Sequence, residues 1–421
     1  MIATIEELQT FFQERRQLGI KPGLQRMERM TQALDYPNQT MKAIHIAGTN
    51  GKGSTASFLK SILKEAGYTV GTFMSPPKVI MQDMIEVNDQ PIAAADFVAH
   101  FNRLLPVIQQ LDQQGDPPSE FEIQTMIAFI YLHTQADVSI IETGMGGSED
   151  STNIVSPLVS MVTTIGLDHQ KFLGDSYEDI AFHKAGVTKP YTPVIIGRVL
   201  ESTKPVFKKK AERQSAPLIW LEEQLAIQQY IAGDSQDQMQ LTVDGQPFIF
   251  TKQLLGKHQV DNAALAILAC QLLNEAGFRI TRPIIEKGLA SAFLPGRFEK
   301  ISQHPTVFLD SAHNQEGIEV FCQAVAQINK AASKTVLFAA FCDKPIQAML
   351  TTLAQHFDNI LCTSFDHPRS AGAEELISLA GQAKQVEWQE LLQGLDESDT
   401  LYITGSVEFI SQVRQYMLAR F

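Results

Sequence analysis

Lys42-Ala43-Ile44-His45-Ile46-Ala47 runs straight into Gly48-Thr49-Asn50-Gly51-Lys52-Gly53-Ser54. Apolar residues then return at helical spacing, as Ala56, Leu59, Ile62, Leu63 and Ala66, and Gly67 closes the run. A strand, a glycine-rich turn, a lysine, a serine and a helix together make a phosphate cradle. Glycines let backbone N–H groups approach phosphate oxygens, the helix N-terminus adds a favourable dipole, and Lys52 offers a point charge. The loop departs from the usual GxxxxGK[ST] spacing, because Ile46 stands where the first glycine belongs and Gly53 separates Lys52 from Ser54. The competing reading is a glycine-rich turn that binds nothing. The strand before it and the helix after it favour phosphate.

Working outward, residues 5–35 read as two polar-rich helical stretches, and Tyr68–Met74 as a second strand. Ser119-Glu120-Phe121-Glu122 is a capping-box pattern that opens an apolar helix running to His133. Further strands are expected at 138–141, 159–165 and 194–197. Strands alternating with helices predict an α/β fold with a doubly wound, mainly parallel sheet carrying the phosphate loop. Residues 240–250 read instead as a hairpin turning at Asp244-Gly245, followed by a helix from about Val260 to Glu275. Ala292–Arg297 is the best linker candidate. After it the α/β rhythm restarts, with strands expected at 307–309, 335–340, 359–363 and 401–403 and a last helix at 407–418. Two domains are therefore expected: 1–295, holding the phosphate loop, and 296–421, a smaller Rossmann-like α/β domain.

In open α/β sheets ligands sit beyond the carboxyl ends of the strands. Ser75 follows the strand ending at Met74. Glu142 follows Ile140-Ile141 and precedes the flexible Thr143–Gly147, and Asp168-His169 follows the strand near 162–165. A hydroxyl, a carboxylate and an imidazole converging on a phosphate loop would make a magnesium site, with His169 the least expected ligand because magnesium prefers oxygen. Taken singly, each has a plainer reading: a turn serine, a solvated carboxylate, a hydrogen-bonded structural histidine.

The 421 residues are 44% hydrophobic and 19% charged, which is ordinary globular composition. The formal net charge of −13 argues against nucleic-acid partners. No apolar run approaches the roughly 18 residues of a membrane span. Met1–Glu7 carries acidic residues and no basic leader region, so no signal peptide is expected. Cys270, Cys322, Cys342 and Cys362 form no CxxC pair and read as reduced thiols of a cytoplasmic protein.

Further motifs follow in order: Asp150-Ser151-Thr152-Asn153, His183-Lys184-Ala185-Gly186, Gly256-Lys257-His258-Gln259 with Asn262-Ala263-Ala264, Pro295-Gly296-Arg297-Phe298-Glu299, Asp310-Ser311-Ala312-His313-Asn314 and Thr404-Gly405-Ser406. Together with the loop and the strand ends, this ordered set resembles the folylpolyglutamate synthase and dihydrofolate synthase family of the Mur ligase superfamily, over nearly the whole chain. The resemblance accounts for the Lys-Gly-Ser form of the loop. It implies an ATP- and Mg2+-dependent ligase in which Thr49, Asn50, Gly51, Lys52, Gly53 and Ser54 hold ATP phosphates. Ser75, Glu142 and His169 would serve the metal, and a carbamylated Lys184 would assist it. Asn262 would contact adenine. Arg297 and Asp310 would bind ATP from the second domain, His313 would lie near the phosphates or the incoming amino acid, and Asp150 and Ser406 would face substrate. A monovalent cation is a further candidate cofactor. Each of these residues also has a bland alternative: Lys184 an ordinary cation, Asn262 a polar residue on an apolar helix, Asp310 a helix cap shared with Ser311.

The implied reaction forms an acyl phosphate on a folate carboxylate, and the amine of L-glutamate then displaces phosphate. Dihydrofolate synthesis from dihydropteroate, alone or in the same chain, is the nearest alternative. A non-catalytic ATP or folate binder and a generic P-loop ATPase remain as other classes. The expected partners are small molecules, with no nucleic acid and no membrane, and the expected state is a monomer. The chain departs from the family pattern at Ile80 and Met84, where arginines are expected, at Asp83 in place of glutamate, and at Gln315 in place of proline.

Overall fold

The computed structural model describes residues 1–328, 333–380 and 383–420. The chain divides into two compact units. The first comprises Met1–Ala226, Thr242–Gln246 and Asp261–Leu289, and the second Ile227–Leu241, Pro247–Val260 and Ala290–Phe421.

In the first unit the apolar runs around the phosphate loop become strands of one sheet. These are β1 (Ala43–Ala47), β2 (Val70–Phe73), β3 (Ile85–Val87), β4 (Gln90–Pro91), β5 (Val138–Glu142), β6 (Val159–Val162), β7 (Val194–Ile196) and β8 (Leu218–Trp220). Their order is β4-β3-β2-β5-β1-β6-β7-β8. From β2 to β8 every pairing is parallel, whereas β3 and β4 add an antiparallel edge that the sequence did not announce. Every residue of β1, β5 and β6 is buried, as expected for parallel strands covered on both faces. The expected capping box forms at the Glu120–Gln135 helix, with Ser119 N and Oγ donating to Glu122 Oε2 at 2.7 and 2.9 Å.

The three-stranded sheet β9 (Leu225–Ile231), β10 (Asp237–Val243) and β11 (Gln246–Lys252) has the order β11-β10-β9. It contains the expected hairpin and a strand before it that had no expectation. Residues 227–241 and 247–260 group with the second unit, for physical reasons local to it. Lys252 and Asp237 form an ion pair with both side chains fully buried. Lys252 Nζ also donates to the carbonyls of Leu254 (2.8 Å) and Gly256 (3.0 Å), and Gly256 N donates to Asp237 at 2.9 Å. Leu255 then enters the same core cluster as Phe298, Phe308 and Phe321.

Strands β12 (Glu299–Gln303), β13 (Thr306–Leu309), β14 (Thr335–Phe338), β15 (Asn359–Cys362), β16 (Lys384–Gln385) and β17 (Thr400–Thr404) form the second unit's main sheet, in the order β12-β13-β17-β14-β15-β16. All pairings are parallel except β12 with β13. Alternation along the strands feeds two cores. Phe308, Val336, Phe338 and Tyr402 pack on one face, and Val307, Leu309, Leu337, Leu401 and Ile403 on the other.

Removing one partner of the buried Lys252–Asp237 pair strands the other charge without water. Lys252→Ala should cost about 3–5 kcal/mol, read as a lower denaturant midpoint, and Lys252→Met combined with Asp237→Asn should recover much of that loss.

Candidate functional site

The strand order sets the site. β2, β5, β1 and β6 are consecutive neighbours and mutually parallel, so their carboxyl ends share one edge of the sheet. Along that edge stand Ser75, Glu142, the 48–54 loop and the Asp168-His169 turn. The reversal of strand order about β1 makes this edge the crevice where α/β sheets take their ligands.

The loop is shaped by backbone contact with the end of β6. Thr49 N donates to Thr164 O (2.9 Å), Asn50 N donates to Thr164 Oγ1 (3.0 Å), and the Thr163 hydroxyl donates to Asn50 O (2.5 Å). Thr49 Oγ1 accepts from Gly166 N (2.9 Å) and donates to Gly166 O (3.1 Å). A Cβ at Gly48 would lie 1.9 Å from Thr163 Oγ1. Gly51, at φ +87°, caps the Lys52–Glu65 helix, and a Cβ there would meet Asn262 Oδ1 at 2.5 Å. Gly53 and Ser54 lie in that helix's first turn, where backbone N–H groups have no intrahelical partner. The same Asn262 oxygen accepts from Thr55 Oγ1 at 3.4 Å, so Asn262 lies beside the loop and the start of its helix.

Lys52 Nζ donates to Gly48 O (2.9 Å) and Thr49 O (3.3 Å) and lies 3.8 Å from Glu142 Oε1. Glu142 is buried at the end of β5. His169 adopts a left-handed φ of +53°, with its backbone N–H on Asp168 Oδ1 (2.9 Å) and its Nε2 3.9 Å from Asp168 Oδ2. Lys184, in the last turn of the Tyr177–Ala185 helix, is only 4% exposed. Burial, and secondly the charge of Lys52, push its pKa down to about 7, against the pull of Asp168 and Asp150. A neutral amine is thus within reach at ordinary pH.

Asp150 is buried, and both its oxygens are engaged. Oδ2 accepts from Met145 N (2.7 Å), and Oδ1 accepts from Thr152 N (3.0 Å) and the Thr152 hydroxyl (2.5 Å). Burial raises its pKa, and these hydrogen bonds work the other way. The Thr152 oxygen also meets His45 Nε2 at 2.8 Å, which links Asp150 to the central strand. Sequence reasoning missed His45 and the two threonines that follow β6, Thr163 and Thr164, which look like ordinary strand residues.

Among the described residues, no cluster of three or more His, Cys, Asp and Glu side chains could enclose a metal. The Ser75 hydroxyl and the Glu142 carboxylate nevertheless fit magnesium, which is commonly held by one or two carboxylates together with substrate phosphates.

In the second unit, Asp310 follows β13 and Ser406 follows the adjacent β17. Asp310 accepts from Phe298 N (2.9 Å) and Ala312 N (2.8 Å), with burial raising its pKa and Arg297 opposing that. The helix cap that was the bland alternative for Asp310 and Ser311 falls to Asn314, whose Oδ1 accepts from Gly317 N at 2.8 Å. His313 Nδ1 donates to Ser311 O (2.9 Å). Ser406 is buried at the N-terminus of the Val407–Leu418 helix, and its hydroxyl makes no hydrogen bond with the described residues.

The departing segment 77–84 has a local explanation. Met81 and Met84 belong to the core, so position 84 carries no exposed cation. Asp83 accepts from Val79 N (2.8 Å) and Ile80 N (3.0 Å) and folds the turn. Val79 and Ile80 are exposed at its tip. Gln315, in the family's proline position, donates to Glu319 (2.9 Å) and Thr352 (2.8 Å).

Gly48→Ala should weaken binding of an ATP analogue at least about tenfold by calorimetry, because 1.4 kcal/mol suffices for that and the added methyl overlaps Thr163.

Known proteins extend this picture. The Mur ligase middle domain matches residues 46–270, and the Mur ligase glutamate ligase domain matches residues 296–407. The dihydrofolate synthase/folylpolyglutamate synthase of Bacillus subtilis is 36% identical, over 99% of each chain. The folylpolyglutamate synthase of Lacticaseibacillus casei is 34% identical, over 92% of each. Among solved structures, Mycobacterium tuberculosis folylpolyglutamate synthase complexed with ADP and AMPPCP superposes with a TM-score of 0.89 at 26% identity, covering 98% of both chains. Escherichia coli FolC in complex with DHPP and ADP gives 0.87 at 28%, again over 98% of both. With its domains, length and fold all shared, the chain belongs to the folylpolyglutamate synthase/dihydrofolate synthase family of Mur ligases.

Proposed function

We propose that this chain is an ATP-dependent ligase that adds L-glutamate to a reduced folate. The observation that carries the reading is the row of Ser75, Glu142, Lys52 and Asp168-His169 along adjacent parallel strand ends, with Lys52 3.8 Å from Glu142, in a chain colinear with its named relatives. Dihydrofolate synthesis is the second reading, because the Bacillus subtilis relative carries both names. Residues 1–295 would form the ATP-binding ligase domain and 296–421 the C-terminal one. We place the enzyme in the cytoplasm as a monomer working on small molecules, without nucleic acid or membrane. The net charge of −13 supports the lack of a nucleic-acid partner, and no described helix is long and apolar enough to span a bilayer.

In this mechanism the 49–54 loop and Lys52 bind the ATP phosphates. Lys52 turns from its carbonyl partners toward the β/γ-phosphates as the γ-phosphoryl passes to the folate carboxylate. Ser75, Glu142 and His169 would hold magnesium, which supplies charge neutralisation at the transferring phosphoryl when bound. The Lys184 amine, once deprotonated, would form an N–C bond to CO2 and release a proton, giving a carbamate anion whose oxygens could serve as ligands. A monovalent cation is a further proposed cofactor. The chain's remaining work is positioning. Asn262, Arg297 and Asp310 would serve the nucleotide, with Asn262 beside the loop it braces. His313 would orient the incoming amine, and Ser406, with an unused buried hydroxyl at a helix N-terminus, would receive a carboxylate of glutamate. Asp150 would act on substrate through the Met145 loop it holds. Attack of the glutamate amine on the acyl phosphate forms the amide and expels phosphate, leaving ADP and one released proton.

Purified protein with ATP, magnesium and L-glutamate should give a glutamate-dependent mass gain on tetrahydrofolate, on dihydropteroate, or on both. Phosphate release that needs neither pterin nor glutamate would point to a plain ATPase. Glu142→Gln should lower kcat by at least about 100-fold, the scale lost with one preorganised group at a charge-developing centre. The Lys184 role predicts a pH limb. The neutral fraction grows as pH rises through about 7, so bicarbonate-stimulated activity should rise over that window, whereas an unperturbed lysine would place the limb near 10.5.

A further inference from the structure

We propose that Asn153 is a positioning residue for Lys184, clamping the end of the Lys184 helix against the turn that follows Glu142; this rests on the role given to Lys184 above. One amide makes the clamp. Asn153 Nδ2 donates to Ser148 O (3.0 Å) and to Gly186 O (3.2 Å), so it bridges the turn and the helix end. Ser148 answers from the other side, with its N–H and its hydroxyl both on His183 O, at 2.8 and 3.1 Å.

The two backbones are in direct contact at this place. A Cβ on Gly186 would fall 2.3 Å from Ser148 Cα, and a Cβ on Gly147 would fall 2.7 Å from His183 O and 3.0 Å from Lys184 O. The glycines of the two separate motifs are therefore halves of one packing contact, and Lys184 hangs from it. Asn153 is itself fixed. Its N–H donates to Asp150 O (2.8 Å), and its carbonyl accepts from Lys189 Nζ. Through Asp150 and Met145 the same turn holds the loop after Glu142. A shift at 153 would move Lys184 relative to Glu142 and leave the phosphate loop, braced separately by β6, in place.

The chemistry at 153 is narrow. An aspartate would aim a carboxylate at two carbonyl oxygens. An alanine would leave both without their donor.

The test compares wild type, Asn153→Ala, Asn153→Asp and Lys184→Ala. It measures kcat, calorimetric affinity for an ATP analogue, and the 13C carbamate resonance formed from 13C-bicarbonate. Both Asn153 variants should lose about 10–100-fold in kcat, the cost typical of supporting groups around a metal ligand. They should also lose most of the carbamate signal, with ATP-analogue affinity changed less than twofold. Should either variant fail to fold, Ser148→Ala removes one strand of the clamp and must show the same split to a smaller degree. Normal kcat in Asn153→Ala, or a lost kcat with the carbamate intact and nucleotide affinity falling in parallel, overturns the clamp. Normal turnover in Lys184→Ala overturns the reading of Lys184 itself, and an inactive Lys184→Ala beside a normal Asn153→Ala overturns the clamp alone.

Discussion

The contact between residues 48–51 and the end of β6 is the constraint on which the proposed nucleotide site depends. A phosphate loop must present its N–H groups outward, so it cannot satisfy itself through regular secondary structure. Here Thr163, Thr164 and Gly166 supply the missing partners from behind, through side chain and backbone together. The brace accounts for the unusual loop spacing. With Ile46 in the buried strand, the tight approach falls to Gly48, against Thr163. Lys52 is held at the loop's own carbonyls, near Glu142, which keeps its charge paired.

A second cation close by sets up an electrostatic conflict that defines the rest of the site. Lys184 is buried and feels Lys52, and both influences disfavour its ammonium form. A fold could relieve this by exposing the lysine. Instead the close packing of Gly147, Ser148 and Gly186 keeps it inside. Burying a lysine with a depressed pKa destabilises the folded state, and that cost makes chemical sense where the neutral amine is the useful form.

Much of this was legible in the sequence. The β1–loop–helix unit, the capping box at Ser119 and the parallel strands of both sheets followed from periodicity and turn chemistry. Placing Ser75, Glu142 and His169 at strand ends followed from the rule that ligands collect there. What escaped notice depends on tertiary contact. β3 and β4, three and two residues long, are too short to carry a pattern, and β12 is an edge strand whose antiparallel register is broken between Lys300 and Ser302. The grouping of residues 227–241 and 247–260 with the second unit turns on Lys252 meeting Asp237 across the hairpin, and charged residues in a strand read as exposed until their partner is seen. Thr163, Thr164, His45 and Asn153 act through hydrogen bonds to residues about 30 to 115 positions away, which no local spacing encodes.

The 77–84 segment shows how substitution and structure can part company. Read as a string, it lacks two arginines and a glutamate, which suggests a lost anion site. In space, Met84 is core, and Asp83 is a turn former satisfied by two backbone N–H groups. Lys78 supplies a cation in the same segment and pairs with buried Glu86. What changes at the surface is therefore confined to the Val79-Ile80 tip, which is apolar where the family pattern has charge. The turn also bears on the proposed metal edge, since Met74 N donates to Met84 O at 3.0 Å and Met74 immediately precedes Ser75. A core methionine at 84 thus preserves the backbone approach to Ser75, and the difference from the family falls on what the tip touches rather than on the chain that carries Ser75.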